Sequence, residues 1–173
     1  YDQMGIPAAA VNEYMMTIAN SNFEDWRRAN PTADLADFPF NLKKMSVSGA
    51  LFDMAKLTDV SKTVISKMTA QEVFDLAHAW ADRHEPELAA LFDSDPAYAV
   101  AVLSIDRGGK KPRKDIAKWS DLADYISYFY YQTFTPCYDL TGNANPALAV
   151  QVLEQYKDLV DTADVKDTWF AKI

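Results

Sequence analysis

Apolar residues recur along most of this chain with the spacing of an α-helix. One helix is expected to begin near Pro7, and Val11, Tyr14, Met15 and Ile18 form its apolar face. No stretch of useful length alternates apolar and polar residues, which is the pattern of a half-buried strand. The pattern therefore predicts an all-α protein, a helical bundle with few or no strands.

Capping residues predict where further helices begin. Asp53 is placed to cap a helix that starts at Met54, and Thr69 with Glu72 forms a capping-box sequence. Ser120 is the expected cap of a later helix, and Asn145 is the expected cap of the last complete one. The helix after Thr69 should turn four residues toward the core: Val73, Leu76, Ala77 and Trp80.

Composition limits the classes of protein to which the chain can belong. A hydrophobic fraction of 49% in 173 residues excludes a disordered chain. A formal net charge of -8 argues against a non-specific nucleic-acid binder, so any RNA contact must come from local basic patches. Cys137 is the single cysteine, which excludes an intrachain disulfide, and no apolar run approaches a membrane span. The expected location is the cytoplasm.

A polar segment leads into the helix that begins after Asp53. Four of its residues offer charge or hydroxyl groups that could contact phosphates without reading bases: Lys43, Lys44, Ser46 and Ser48. Gly49 permits a tight bend, and Leu51 and Phe52 are the expected anchors of the segment in the core. The alternative is that the lysines are solvated and that the serines are turn residues.

The strongest local concentration of positive charge lies between two predicted helices. Five of the eight residues from 107 to 114 are basic: Arg107, Lys110, Lys111, Arg113 and Lys114. Such residues repel one another when unpaired, so an anionic partner is a reasonable hypothesis. A solvated basic loop is the alternative.

Several segments, in a fixed order, resemble bacterial glutamyl-tRNA synthetases. The segment from Phe38 to Leu57 is similar to the family's junction, which follows the catalytic domain and contacts the inside of the tRNA. Segments 5–7, 11–14 and 20–27 resemble the helices before the junction, and segments 114–122 and 128–130 resemble a turn and helix after it. The resemblance implies an all-helical anticodon-binding region with tRNA as partner. It also makes Arg113 the best match to an arginine that faces the anticodon, with Lys118 as a further candidate, although residues 108–111 lengthen the family's usual turn.

The chain also contains a sequence that looks catalytic. Lys44-Met45-Ser46-Val47-Ser48 resembles the Lys-Met-Ser-Lys-Ser signature of class I synthetases, but Val47 replaces the lysine that stabilises phosphate charge. We interpret this match as a coincidence and expect no catalytic residue, cofactor or metal site in the chain. By the resemblance, ATP and Mg²⁺ belong to the parent enzyme, whose N-terminal catalytic domain is absent here.

The resemblance divides the chain into three parts. Residues 1–37 form an entry helical hairpin that links to the absent catalytic domain, residues 38–135 form the stem-contact junction and a helical anticodon-binding subdomain, and residues 136–173 begin a second such subdomain. An amphipathic helix that starts at Asp164 looks unfinished at Ile173, so we expect an excised piece.

The expected function is tRNA binding by a glutamyl-tRNA synthetase, without DNA or a membrane as partner. A helical protein-interaction module is one alternative. A synthetase that also accepts glutamine tRNA is another.

Overall fold

The computed structural model describes residues 1–45, 49–109, 111–137 and 145–172. Within these ranges the regular secondary structure is entirely helical, without a strand, which confirms the predicted all-α class. The helices are α1 Ala8–Ala19, α2 Phe23–Ala29, α3 Met54–Lys67, α4 Ala70–His84, α5 Pro86–Ser94, α6 Pro96–Leu103, α7 Leu122–Ile126, α8 Pro146–Lys157 and α9 Lys166–Phe170. Short 3₁₀ turns lie at Leu35–Asp37, Leu42–Lys44, Trp119–Asp121 and Ser127–Phe129.

Three of the predicted caps are confirmed. The carboxylate of Asp53 accepts hydrogen bonds from the first backbone N–H groups of α3, at 2.8 and 3.2 Å. Thr69 and Glu72 form a complete capping box at the start of α4. Asn145 caps α8, with Pro146 as the first helical residue.

Two compact units divide the chain, Tyr1–Phe134 and Thr135–Ile173. The first unit has two clusters of buried apolar residues. The larger cluster joins α4, α5 and α6 to α7 around Trp80, Phe92 and Leu122. The smaller cluster packs α1 against α3 around Tyr14 and Leu57. Burial of these faces provides the main driving force for folding.

Five expectations about single positions are wrong. Met15 and Leu76 are about half exposed, because the buried stripe of each helix is narrower than the apolar face in the sequence. Leu51 is 93% exposed and Phe52 is 42% exposed, so neither is buried in the core. Ser120 lies inside a 3₁₀ turn, and the carboxylate of Asp121 instead accepts the N–H groups of residues 117 and 118.

The N-terminal segment is fixed to the larger cluster by hydrogen bonds. The indole of Trp80 donates to the backbone oxygen of Asp2 at 2.7 Å. The backbone N–H of Trp119 donates to the oxygen of Gly5 at 2.8 Å. Gly5 has a φ of +77°, and a Cβ there would lie 2.8 Å from the nitrogen of Trp119. Only glycine fits this conformation and this close approach without strain.

The second unit contains α8 and α9, and none of its described residues is buried. Tyr156 on α8 and Trp169 on α9 meet edge to face, and the indole donates to the tyrosine hydroxyl at 2.9 Å. The final helix begins at Lys166, two residues after the predicted start at Asp164. In the described ranges, every helix is too short or too polar to cross a bilayer.

Candidate nucleic-acid interface

The basic 3₁₀ turn Leu42–Lys44 is attached to the loop that joins α1 and α2. The side chain of Asn20 donates to the backbone oxygen of Asn41 at 2.8 Å, and Ser21 donates its N–H to the oxygen of Lys44 at 3.2 Å. Lys43 and Lys44 are exposed, and neither forms an ion pair with a described residue. Both ammonium groups therefore face solvent from a fixed backbone. The candidate residues Ser46 and Ser48 lie outside the described residues.

The other end of the junction is also fixed. Gly49 has a φ of +77°, which fits the predicted bend. The backbone N–H of Asp53 donates to the hydroxyl of the buried Tyr14 at 2.6 Å. The ring of Phe52 meets that of Tyr14 edge to face, with centroids 5.2 Å apart. The start of α3 is thereby held against α1.

Arg107, the first residue of the predicted basic loop, turns inward. Its Nε donates to the backbone oxygen of Leu103 at 2.9 Å, and one terminal nitrogen donates to the oxygen of Ile65 at 2.8 Å. These carbonyls belong to the last turns of α6 and α3, where helices leave oxygens without internal partners. Burial lowers the pKa of this guanidinium from its ordinary value. Arg107 thus joins two helix ends.

Arg113 lies between two carboxylates. Its Nε is 2.6 Å from Asp115, and a terminal nitrogen is 3.3 Å from Asp106. The hydrogen bond to Asp106 and the charge of Asp115 raise its pKa above the usual range. Lys111 nearby is exposed and forms no ion pair with a described residue. Lys110, between Gly109 and Lys111, lies outside the described residues.

The last two candidates face different neighbours. The ammonium group of Lys114 donates to the hydroxyl of Thr63 on α3 at 3.1 Å. The ammonium group of Lys118 lies 3.6 Å from Asp121. The basic segment is therefore not one uniform patch, because its described cations point to the protein interior, to paired carboxylates, to solvent and to α3. Their contact with RNA stays a prediction.

Lys114 also borders a groove of about 480 Å³ that α1, α2 and α3 line. Of the basic residues of this groove, only Lys114 was predicted from the sequence; Arg27, Arg28, Lys56 and Lys67 were not. Lys56 and Lys67 lie on one face of α3 with Thr63, and Arg27 and Arg28 come from α2. The spacing of Lys56, Thr63 and Lys67 places them on one face of a helix, and this is the signal in the sequence that could have indicated a polar face.

Carboxylates neutralise only part of the groove. Glu13 pairs with Arg27 at 2.8 Å, and Glu24 pairs with Lys56 at 2.6 Å. Lys67 donates to the backbone oxygen of Pro31 at 2.9 Å and has no ion pair with a described carboxylate. Burial, together with the positive charges of Arg27 and Lys114, lowers the pKa of Lys67, and Glu13 opposes this shift.

Within the described ranges, no group of three or more His, Cys, Asp or Glu side chains is arranged to hold a metal ion. The candidate residues of this interface carry ammonium and guanidinium groups, which bind anions.

Comparison with known proteins relates the chain to one kind of enzyme. The glutamate–tRNA ligase of Acetivibrio thermocellus is 41% identical over 173 residues, which is 100% of this chain and 32% of the relative. Its counterpart in Sorangium cellulosum is 42% identical over 175 residues, covering 100% of the chain and 31% of the relative. The ligase of Clostridium perfringens is 41% identical over 177 residues, covering 100% and 32%.

Two other comparisons found no match. No protein-family model matches the chain, and no solved structure matches it. The chain spans about a third of the length of the curated ligases it matches. The resemblance seen in the sequence is thus confirmed, and over its whole length this all-helical chain is similar to the C-terminal third of bacterial glutamate–tRNA ligases.

Proposed function

We propose that the chain is the tRNA-binding region of a glutamate–tRNA ligase and that it positions the stem and anticodon of a glutamate tRNA. The observation that carries this proposal is similarity over the entire chain to ligases of that name, at about 41% identity. A tRNA is a polyanion, and its phosphates are bound by exposed lysine and arginine side chains.

The exposed basic groups support this role. Lys43 and Lys44 project from a turn that is fixed to the α1–α2 loop, so their positions are set before RNA binds. Lys111 and Arg113 are exposed after α6. Arg107 is a poor test of RNA binding, because its loss would remove the donors that join α3 to α6.

In this proposal the parent ligase activates glutamate with ATP and Mg²⁺ in the cytoplasm and transfers it to the tRNA. The present chain contributes binding and orientation, which make charging depend on the identity of the tRNA. The chain alone should not aminoacylate tRNA. Steady charging of glutamate tRNA by the purified chain would contradict this division of labour.

A binding assay with two tRNAs tests the proposal. The chain should shift a glutamate tRNA transcript in a gel at lower protein concentration than it shifts an unrelated tRNA of the same length. The double variant Lys111→Ala with Arg113→Ala should bind more weakly, and its affinity should depend less on salt, by about one unit of logarithmic slope for each lost phosphate contact.

The control is the double variant Lys62→Ala with Lys157→Ala, which also removes two positive charges but lies outside residues 107–114. It should bind like the unchanged chain if the 107–114 segment makes the contact. Equal affinity for both tRNAs in low salt would overturn the proposal. If a protein partner co-purifies with the chain in stoichiometric amount, in place of tRNA, the chain is better described as a helical protein-interaction module.

A further inference from the structure

The groove between α1, α2 and α3 carries more positive charge than its carboxylates neutralise. Its cations are Arg27, Arg28, Lys56, Lys67 and Lys114, and its carboxylates are Glu13, Glu24 and Asp59. Glu13 and Glu24 are each within 2.8 Å of a cation, and Arg28 pairs with Asp25. Outside these pairs the groove has two lysines, Lys67 and Lys114, and one carboxylate, Asp59, whose negative charge acts on Lys56.

Lys114, which follows α6 in the chain, contacts α3 one helical turn before Lys67. Lys114 donates to the hydroxyl of Thr63, and Thr63 precedes Lys67 by four residues, so both ammonium groups lie over the same face of the helix. Their described hydrogen-bond acceptors are neutral oxygens, from Thr63 and from the backbone of Pro31. An ammonium group has three donors, so each retains donors for a ligand.

The electrostatics agree with an anionic ligand. Burial is the main cause of the lowered pKa of Lys67; the charges of Arg27 and Lys114 lower it further, and the charge of Glu13, the strongest of the three, opposes them. Glu72 on α4 borders the neighbouring groove beside Lys67, but it is held by Thr69. Like charges that repel one another in the free protein are relieved when an anion binds between them.

The side chain of Arg27 lines the groove and is held in place by several contacts. Its terminal nitrogens donate to the backbone oxygens of Asn30 and Ala33 and pair with Glu13, and its guanidinium lies 5.0 Å from the ring centre of Trp26. The side chain is mostly buried, with 13% of its surface exposed. Arg27 is therefore a fixed guanidinium paired with Glu13, while Lys67 and Lys114 provide the donors for the ligand.

We propose that this groove binds the phosphodiester backbone of the RNA, with Lys67 and Lys114 donating to phosphate oxygens. The proposal rests on the proposed function, because it assigns a second contact surface to the same tRNA. A groove of about 480 Å³ has room for phosphate groups and the sugars between them. Contacts from lysine ammonium groups to phosphates do not read bases, so the groove should bind RNA backbone without regard to sequence.

Salt dependence of tRNA binding provides the test. Relative to the unchanged chain, Lys67→Gln with Lys114→Gln should lower the slope of log affinity against log salt by about one for each lysine. The matched control is Lys62→Gln, which removes one lysine from the same helix at a position that does not line the groove. The control should leave the slope unchanged.

Circular dichroism of each variant should match that of the unchanged chain, since both groove lysines make only single hydrogen bonds to described atoms. A folded double variant with an unchanged slope would overturn the groove site while leaving tRNA binding elsewhere intact. If the unchanged chain does not bind tRNA, the proposed function fails. Titration with inorganic phosphate then tests independently whether the groove binds anions.

In that titration, the NMR signals of the Lys67 and Lys114 side chains should shift saturably with phosphate, and the pKa of Lys67 should rise. Lys62 should respond only to bulk ionic strength. Equal, non-saturating responses at all three lysines would overturn the groove site as an anion-binding site of any kind.

Discussion

At the scale of single residues, the two arginines of the basic segment 107–114 make different kinds of contact. Arg107 donates to the carbonyls that end α3 and α6, whereas Arg113 is exposed between Asp106 and Asp115. The sequence shows only that both are basic and six residues apart. Their roles depend on where helix ends fall in space, so spacing along the chain could not distinguish them.

Gly5 and Gly49 form a matched pair for a stability prediction. Both have a φ of +77°, but a Cβ at Gly5 would meet the Trp119 nitrogen, whereas a Cβ at Gly49 would meet nothing within 4 Å. Gly49→Ala should lower the free energy of unfolding by about 1 kcal/mol, the cost of a left-handed conformation. Gly5→Ala should lower it further, by about 1–3 kcal/mol more, because of the overpacking.

Urea denaturation of the two variants measures the difference. Because the backbone conformation is the same, subtracting one effect from the other isolates the contact with Trp119. Equal losses would show that the N-terminal segment can move away from Trp119 at little cost.

At the scale of elements, the capping box at the start of α4 predicts a dependence of stability on pH. Hydrogen bonds from the backbone and side chain of Thr69 lower the pKa of Glu72 below its ordinary value. A lowered pKa in the folded state stabilises the protein above the pKa of the unfolded chain. This contribution is lost as the pH falls through the folded-state pKa.

The measurement compares the unchanged chain with Glu72→Gln. The difference in their free energies of unfolding should be constant near neutral pH and should shrink as acid protonates Glu72. In a Thr69→Ala background the same comparison should depend less on pH, because one of the two donors is gone. A difference that grows in acid would contradict the sign of the argument.

Helices were the most predictable part of the fold. Caps at Asp53, Thr69 and Asn145 were correct because a capping side chain bonds to N–H groups only two or three residues ahead. The predicted cap at Ser120 was wrong, because the carboxylate of Asp121 accepts the N–H groups of residues 117 and 118 instead. The predicted burial of Leu51 was wrong, because the hydrophobicity of a side chain does not show whether a neighbouring element covers it.

At the scale of the whole molecule, the first unit contains both buried clusters. Their members lie between Ile6 and Tyr130. In the second unit, by contrast, none of the described residues is buried. The chain cut after Phe134 should therefore fold cooperatively by itself, whereas an isolated peptide of residues 135–173 should show little helix in water, because its two short helices bury too little apolar surface.

Thermal denaturation followed by circular dichroism tests both pieces. The 1–134 piece should give a single sigmoidal transition, and the peptide should give a shallow, non-cooperative change. A non-cooperative 1–134 piece would show that its stability depends on residues beyond Phe134.

The groove could not be predicted from the sequence, because three distant segments form it. Arg27, Lys67 and Lys114 are separated by about forty residues at each step, and their approach follows from the packing of α1 on α3 and from the path of the chain after α6. The candidates predicted from the sequence lie in residues 38–57 and 107–118, where basic residues are close together along the chain. A charge cluster that forms only on folding has no such local concentration of basic residues in the sequence.

If the chain binds tRNA as proposed, the two carboxylates that hold Arg113 affect both the rate at which RNA associates and the time it stays bound. Asp106 and Asp115 cancel much of the potential that Arg113 would project into solvent, while Lys43 and Lys44 project theirs without a described partner. Arg113 is already held in place, so exchanging a carboxylate for a phosphate costs it little side-chain freedom. Loss of Arg113 should therefore shorten the residence time of the complex, and loss of the two lysines should slow its association.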